Sequence, residues 1–159
     1  MSIEKVRAYF RTLGRENDIL EFPVSSATVE LAAQAVGVIP ARIAKTLSFL
    51  VEDQCVLVVA AGDAKVDNGK YKAYFHTKAK MLSPQQVSDL TGHAVGGVCP
   101  FANPEGVRTY LDVSLQRFDT VFPAAGSSNS AIQLTCEELE KYSGSLEWID
   151  VCKGWEENP

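Results

Sequence analysis

The stretch Arg42-Ile43-Ala44-Lys45-Thr46-Leu47-Ser48-Phe49-Leu50-Val51, then Glu52-Asp53, then Cys55-Val56-Leu57-Val58-Val59-Ala60-Ala61, decides how this chain is built. Its first half leads into a strand, and the acidic pair marks a turn. The second half is continuously apolar and partly β-branched, the pattern of a central strand covered on both faces. By strand parity Lys45 faces the same side as Leu47, Phe49 and Val51. An ammonium is costly there unless an anion or several acceptors meet it. The competing reading is a lysine that buries its stem and snorkels its head to water at the strand end.

Upstream, Ile3, Val6, Phe10 and Leu13 recur at helical spacing up to Gly14. Arg7, Arg11 and Arg15 form a stripe off that apolar face, open to solvent or to an anion. Residues 19–23 read as a short strand. Ser25, Ser26 and Thr28 offer caps for a helix through Val29, Ala32, Ala33 and Val36, closed by Gly37. Downstream, residues 64–76 are compatible with a helix that Gly69 weakens, and residues 80–82 with a short strand. Ser83-Pro84 opens a helix that Gly92 ends. Strands are expected over 107–112, 120–122, 131–134 and 146–151, with a small-residue turn at 124–129. Thr135 caps a helix over 136–142. Short strands interleaved with helices of mixed length predict an α+β domain.

A chain of 159 residues with 46% hydrophobic content fits one domain with a real core, residues 1–159. No apolar run reaches the length of a membrane span, so no membrane partner is expected. Charges begin at the fourth residue, unlike a signal or transit peptide, and a cytoplasmic protein is expected. Four scattered cysteines (Cys55, Cys99, Cys136, Cys152) predict reduced thiols, and His76 and His93, the only histidines, make a zinc site an unfavoured reading. A net charge of −5 argues against indiscriminate nucleic-acid binding, and DNA in particular is not expected as a partner. The charge is uneven. Residues 63–80 hold five lysines (Lys65, Lys70, Lys72, Lys78, Lys80) against Asp63 and Asp67, whereas residues 137–159 hold seven acids against Lys141 and Lys153. The lysine segment reads either as a solvated face or as a local phosphate contact.

Chemistry concentrates at Gly96-Gly97-Val98-Cys99-Pro100-Phe101. Paired glycines release the backbone from the usual φ restriction and Pro100 fixes the exit, so several N–H groups can converge on one anionic or carbonyl oxygen. Cys99 with His93 suggests a thiol nucleophile and its base, but no nucleophile elbow surrounds it, and a small residue in a tight loop explains it equally. Ser127, Ser128 and Ser130 give no specific triad signal, and no phosphate-binding glycine motif is complete. What remains is a glycine loop and a strand lysine with no clear side-chain acid, base or nucleophile. Such a site suits binding, or hydrolysis of a substrate that supplies its own reacting group.

Arg42–Leu47, Gly96–Phe101, Tyr110-Leu111-Asp112-Val113-Ser114-Leu115, Ala125-Gly126-Ser127-Ser128-Asn129 and Leu134-Thr135 together resemble the YbaK/ProX family. These are relatives of the editing insertion domain of bacterial prolyl-tRNA synthetase, and the resemblance runs in order over about residues 20–140. It implies a mixed, mostly antiparallel, barrel-like sheet flanked by helices. It implies hydrolysis of the ester joining a wrong, small amino acid such as Cys, Ala, Ser or Thr to tRNA-Pro or a related tRNA, without metal or organic cofactor. Lys45 would contact the terminal adenosine's phosphate or hold the ester. Gly96, Gly97, Val98, Cys99 and Pro100 would orient the carbonyl and a water, and the neighbouring ribose 2′-hydroxyl would assist. By position Phe22, Ser26, Thr28 and Val29, with Phe49 beneath them, fall at the amino-acid sieve. Asp112, Ser128 and Asn129 fall in the matching motifs as further substrate contacts. Lys65, Lys70 and Lys72 are the candidate tRNA contacts, and a prolyl-tRNA synthetase is the candidate protein partner. Thr46 matches the YbaK and synthetase-insertion pattern, where alanine-specific members often carry asparagine. The competing expectations are a non-catalytic module that holds a tRNA end or nucleotide and, further off, a Cys99-dependent hydrolase.

Overall fold

The computed structural model describes residues 2–156. Along the chain it runs α1 (Ser2–Thr12), β1 (Ile19–Glu21), α2 (Val29–Val36), β2 (Ile43–Val51), β3 (Gln54–Ala61), β4 (Lys65–Val66), α3 (Asn68–Phe75) and α4 (Pro84–Thr91). It continues through β5 (Arg108–Asp112), β6 (Thr120–Pro123), β7 (Ser130–Ile132), β8 (Leu134–Thr135), α5 (Cys136–Ser143), β9 (Trp148–Ile149) and β10 (Cys152–Lys153). The fold is α+β.

The hairpin β2–β3 is its frame. Val51 pairs with Gln54, so Glu52 and Asp53 are the two turn residues, at φ 51° and 64°. That left-handed pair follows the natural twist of a two-residue hairpin. Around it a six-stranded sheet forms in the order β8-β6-β2-β3-β5-β9 and curls into a half-barrel. The sheet is mixed: β2–β3 and β6–β8 are antiparallel, whereas β2–β6, β3–β5 and β5–β9 are parallel. Antiparallel pairs β1–β7 and β4–β10 flank it. β3 is buried from Cys55 through Ala61, as its unbroken apolar run requires. Phe49 and Val51 enter the main core with Val58, Leu111 and Tyr71, while Leu50 and Leu57 pack with Leu82 and Val87 of the α4 side.

Short-range chemistry sets the helix ends. Thr28 Oγ1 accepts from Leu31 N–H to start α2, and Gly37 at φ 86° stops it. Ser83 and Thr135 open α4 and α5 with reciprocal capping boxes through Gln86 and Glu138, each such cap being worth about 1 kcal/mol. Four expected elements differ. Residues 64–76 divide, because Lys65–Val66 pairs with Cys152–Lys153 and Asp67 then caps α3. Residues 80–82 make only a bridge from Met81 to Phe49. Of the expected strand over 146–151 only Trp148–Ile149 forms one, and the expected strand over 131–134 breaks at Gln133 into β7 and β8, which pair with β1 and β6 in different sheets. The arginine stripe is occupied as well: Arg7 pairs with Glu21, Arg11 with Glu16, and Arg15 with Asp18 and Glu138.

Candidate active site

α2 lies across the start of β2 and the end of β6, burying Ala32, Ala33, Ile43 and Phe122 in a small core of their own. Beside it the segment carrying Gly96 and Val98 approaches, and the elements enclose a cleft of about 120 Å³. That is well below the roughly 300–1,000 Å³ of sites enclosing a drug-sized ligand, so it fits a group of a few heavy atoms. Its walls are mostly small or apolar (Ala27, Val29, Ala44, Val98, Phe122, Ala124), with polar points at Ser26, Thr28, Lys45, Thr46 and Ser130. Lys45 is the only ionisable residue among the lining.

Lys45 is half-buried, and burial pulls its ammonium below the usual lysine range. The head does not snorkel away. Nζ donates to Ala64 O and, at 3.3 Å, to Gly62 O, both in the turn after β3. An ammonium has three donors, so one remains for another acceptor. Two carbonyls hold the charge in place without neutralising it. Gly62 is required where it stands, since a Cβ there would lie 2.1 Å from Pro40 O and 2.7 Å from Val29 Cγ1. Next along β2, Thr46 is a lining residue whose Oγ1 is itself buried, with no hydrogen-bond partner among the described residues. An orphan buried hydroxyl is costly.

The glycine loop serves the cleft by a route different from the one expected. Neither Gly96 nor Gly97 has a positive φ. Space is what requires glycine: a Cβ on Gly97 would sit 2.9 Å from Ser127 Cα, and one on Gly96 3.2 Å from Ser128 Cβ. The Gly97 N–H is committed to Ala94 O at 2.8 Å. Gly96 and Val98 line the cleft, whereas Gly97, Cys99 and Pro100 do not.

Cys99 is fully buried, and burial pushes its thiol up to about 12. Its Sγ lies 3.6 Å from His93 Nε2, but Nε2 is also 3.1 Å from Phe101 O. A carbonyl only accepts, so Nε2 carries the hydrogen and cannot take one from the thiol. The pair locks the back of the loop, together with Asn103 Nδ2 donating to Cys99 O at 3.0 Å.

The other expected contacts divide. Ser26, Thr28 and Val29 line the cleft, with Thr28 also capping α2. Phe22, Ser128 and Asn129 are not among the lining residues: Phe22 and Asn129 exchange backbone and side-chain hydrogen bonds at 2.8 and 3.0 Å, and Ser26 N–H donates to Ser128 O at 2.7 Å. Phe49 is a core residue, stacked at a tilt on Tyr71. Asp112 is fully buried and accepts from Ser114 N–H and Val151 N–H, a structural use of both its oxygens. Lys70 is taken up by Asp150, Glu156 and Cys152 O, while Lys65 and Lys72 are exposed. Ser130, weighed from sequence only as a triad serine, lines the cleft, and so does Phe122, which sequence did not place at the site; β-strand alternation about Val121 was the available signal for Phe122. Among the described residues no three His, Cys, Asp or Glu side chains gather as a metal site.

The family model described as the aminoacyl-tRNA editing domain matches residues 24–142, three quarters of the chain. The chain belongs to that family. The editing domain is 59% identical to the uncharacterized protein YwhH of Bacillus subtilis (strain 168) over 98% of this chain and all of that one. It is 31% identical to the proline–tRNA ligase of Leuconostoc citreum (strain KM20) over 64% of this chain, which is only 18% of the ligase. In structure it is similar to a protein proposed to be a trans-editing enzyme for prolyl tRNA synthetase, with TM-score 0.86 and 30% identity, over 96% of this chain and 98% of that one.

Proposed function

We propose that this editing domain is a trans-acting, cytoplasmic deacylase that hydrolyses the ester between a small amino acid and the tRNA that wrongly carries it. Cys, Ala, Ser and Thr are the candidate amino acids, and tRNA-Pro or a related tRNA is the carrier. The observation that carries the reading is a cleft of about 120 Å³ whose one ionisable lining residue, Lys45, is fixed by two neutral carbonyls. The volume admits a small side chain and refuses a large one. The charge meets the ester or the adjoining phosphate. A synthetase pocket separates side chains differing by a methylene by only about 1–3 kcal/mol, so small impostors require a second sieve.

Catalysis in such a site is positioning and electrostatics. The cleft lining offers no carboxylate, imidazole or thiolate as base. The 2′-hydroxyl beside the ester, present in RNA and absent from DNA, supplies the missing polar group from the substrate.

The test is a panel of tRNAs charged with Ala, Ser, Thr, Cys and Pro, with Lys45→Ala beside the unaltered protein. We expect accelerated hydrolysis of at least one small-residue ester and a loss of about 100-fold or more in kcat/KM for Lys45→Ala. Measurable tRNA binding with no hydrolysis of any ester would replace the deacylase by a binding module.

A further inference from the structure

The turn that fixes Lys45 is itself held from below. Asp63 stands between Gly62 and Ala64, the two residues whose carbonyls take the ammonium. Its carboxylate points to Arg117 instead, in a two-pronged contact of 2.6 Å from Nη2 to Oδ1 and 3.0 Å from Nη1 to Oδ2. Arg117 is anchored in turn: Nε donates to Ser114 O at 2.9 Å, Nη1 reaches Trp155 O at 3.3 Å, and the guanidinium lies over the rings of Phe118 and Trp155. The two side chains are only 10% and 18% exposed, so water and salt screen the pair weakly. A planar fork on a carboxylate, stacked on aromatics, is an arrangement that lysine cannot reproduce.

This matters because a carboxylate is the better partner for an ammonium. Were Asp63 to turn to Lys45, the positive charge would be neutralised before any substrate arrived. We propose that Arg117 and Asp63 are positioning residues for Lys45: Arg117 holds the carboxylate away, so that Lys45 is oriented by neutral carbonyls and keeps its charge for the substrate. The inference rests on reading the cleft as the deacylation site. The charged and titratable groups facing Lys45 are Asp63 in the turn, Lys65 in β4, Glu30 in α2 and Cys152 in β10. Cys152 is pushed up to about 12 by burial and stays neutral near pH 7, which leaves Asp63 as the acid placed within the clamp itself.

The test compares Arg117→Ala, Asp63→Asn and the double variant. Three quantities are read: kcat and KM on a mischarged tRNA, the melting temperature, and the Lys45 pKa, from the pH dependence of its acylation by a lysine-reactive ester mapped by peptide mass spectrometry. In Arg117→Ala the carboxylate swings to the ammonium; kcat falls about tenfold or more with KM nearly unchanged, and the Lys45 pKa rises. Adding Asp63→Asn removes the competing charge and returns kcat to within about threefold of the unaltered protein. A double variant as impaired as Arg117→Ala, or a Lys45 pKa that does not rise in Arg117→Ala, overturns the proposal and leaves the pair a structural tie. If Arg117→Ala does not fold, Arg117→Gln keeps the packing while losing the charge, and the same rise or its absence decides. The Lys45 titration needs no tRNA. A protein that deacylates nothing therefore refutes the proposed function while the clamp is still judged on its own.

Discussion

Burial pulls the Lys45 ammonium below its ordinary value of 10.5, yet the proposed chemistry uses the charged form. The two demands have opposite signs with pH. Because the folded pKa is the lower one, the unfolded chain binds more protons between the two values, so this group's contribution to stability rises with pH across that window. Deacylation should instead fall as pH climbs through the folded pKa. A pH–rate profile, corrected for spontaneous ester hydrolysis, should show an alkaline limb below the ordinary lysine value; a limb at that value would assign it to another group. Cys99 supports the opposite expectation. With its thiol at about 12 and no exposure, it is neither nucleophile nor target. Cys99→Ser should keep kcat/KM within about threefold, and iodoacetamide should leave native activity intact; inactivation that tracks Cys99 alkylation would restore the thiol hydrolase.

At the scale of elements, the glycine loop and the end of β5 divide function from support. Gly97→Ala drives a Cβ into the Ser127 backbone at 2.9 Å, where no side chain can give way. It should cost about 1–3 kcal/mol in chemical denaturation and displace Gly96 and Val98 from the cleft, lowering kcat/KM by about tenfold. Asp112→Ala leaves the buried amides of Ser114 and Val151 without an acceptor. It should destabilise by about 3 kcal/mol while KM stays within about twofold; a selective rise in KM would make Asp112 a substrate contact after all. These elements also show how far sequence reaches. The β2–β3 hairpin and α2 with its Thr28 cap follow from alternation and capping, which are local, whereas a common site for Lys45 and Gly96 was legible only through the ordered family motifs. The use of Asp112 was hidden because its partner Val151 lies 39 residues away. The reason for Gly97 was hidden because it is the approach of the 126–127 backbone and not a φ value. Nor does spacing announce that Arg117 closes on Asp63, 54 residues upstream. Contacts made by tertiary approach leave no periodic signature.

Across the whole molecule, charge is sorted rather than balanced. The chain is net −5, yet the lysine segment of residues 63–80 keeps a positive excess. The structure divides that segment further. Lys70 is neutralised by Asp150 and Glu156 from the acidic C-terminal stretch, and its ammonium also braces Cys152 O, so it ties β10 to α3. Lys72 and Lys78 instead border a surface hollow with Asn68 and Gly69, and Lys65 is exposed beside them in the chain. On an acidic protein such a patch steers an RNA to one face while the remaining surface repels it. If that face takes the tRNA backbone, each phosphate contact adds roughly 0.7–0.9 to the slope of log K against log salt. Lys72→Ala with Lys65→Ala should therefore weaken tRNA binding and lower the slope by about 1–2, with deacylation at saturating tRNA unchanged. Lys70→Ala should leave the slope nearly as it was and show itself in a lower melting temperature, because the charge it removes was already paired. Titrations of uncharged tRNA at several salt concentrations separate the two. A slope that drops for Lys70→Ala and not for the Lys65/Lys72 pair would move the RNA onto the face carrying β10, Asp150 and Glu156, against the field of the molecule.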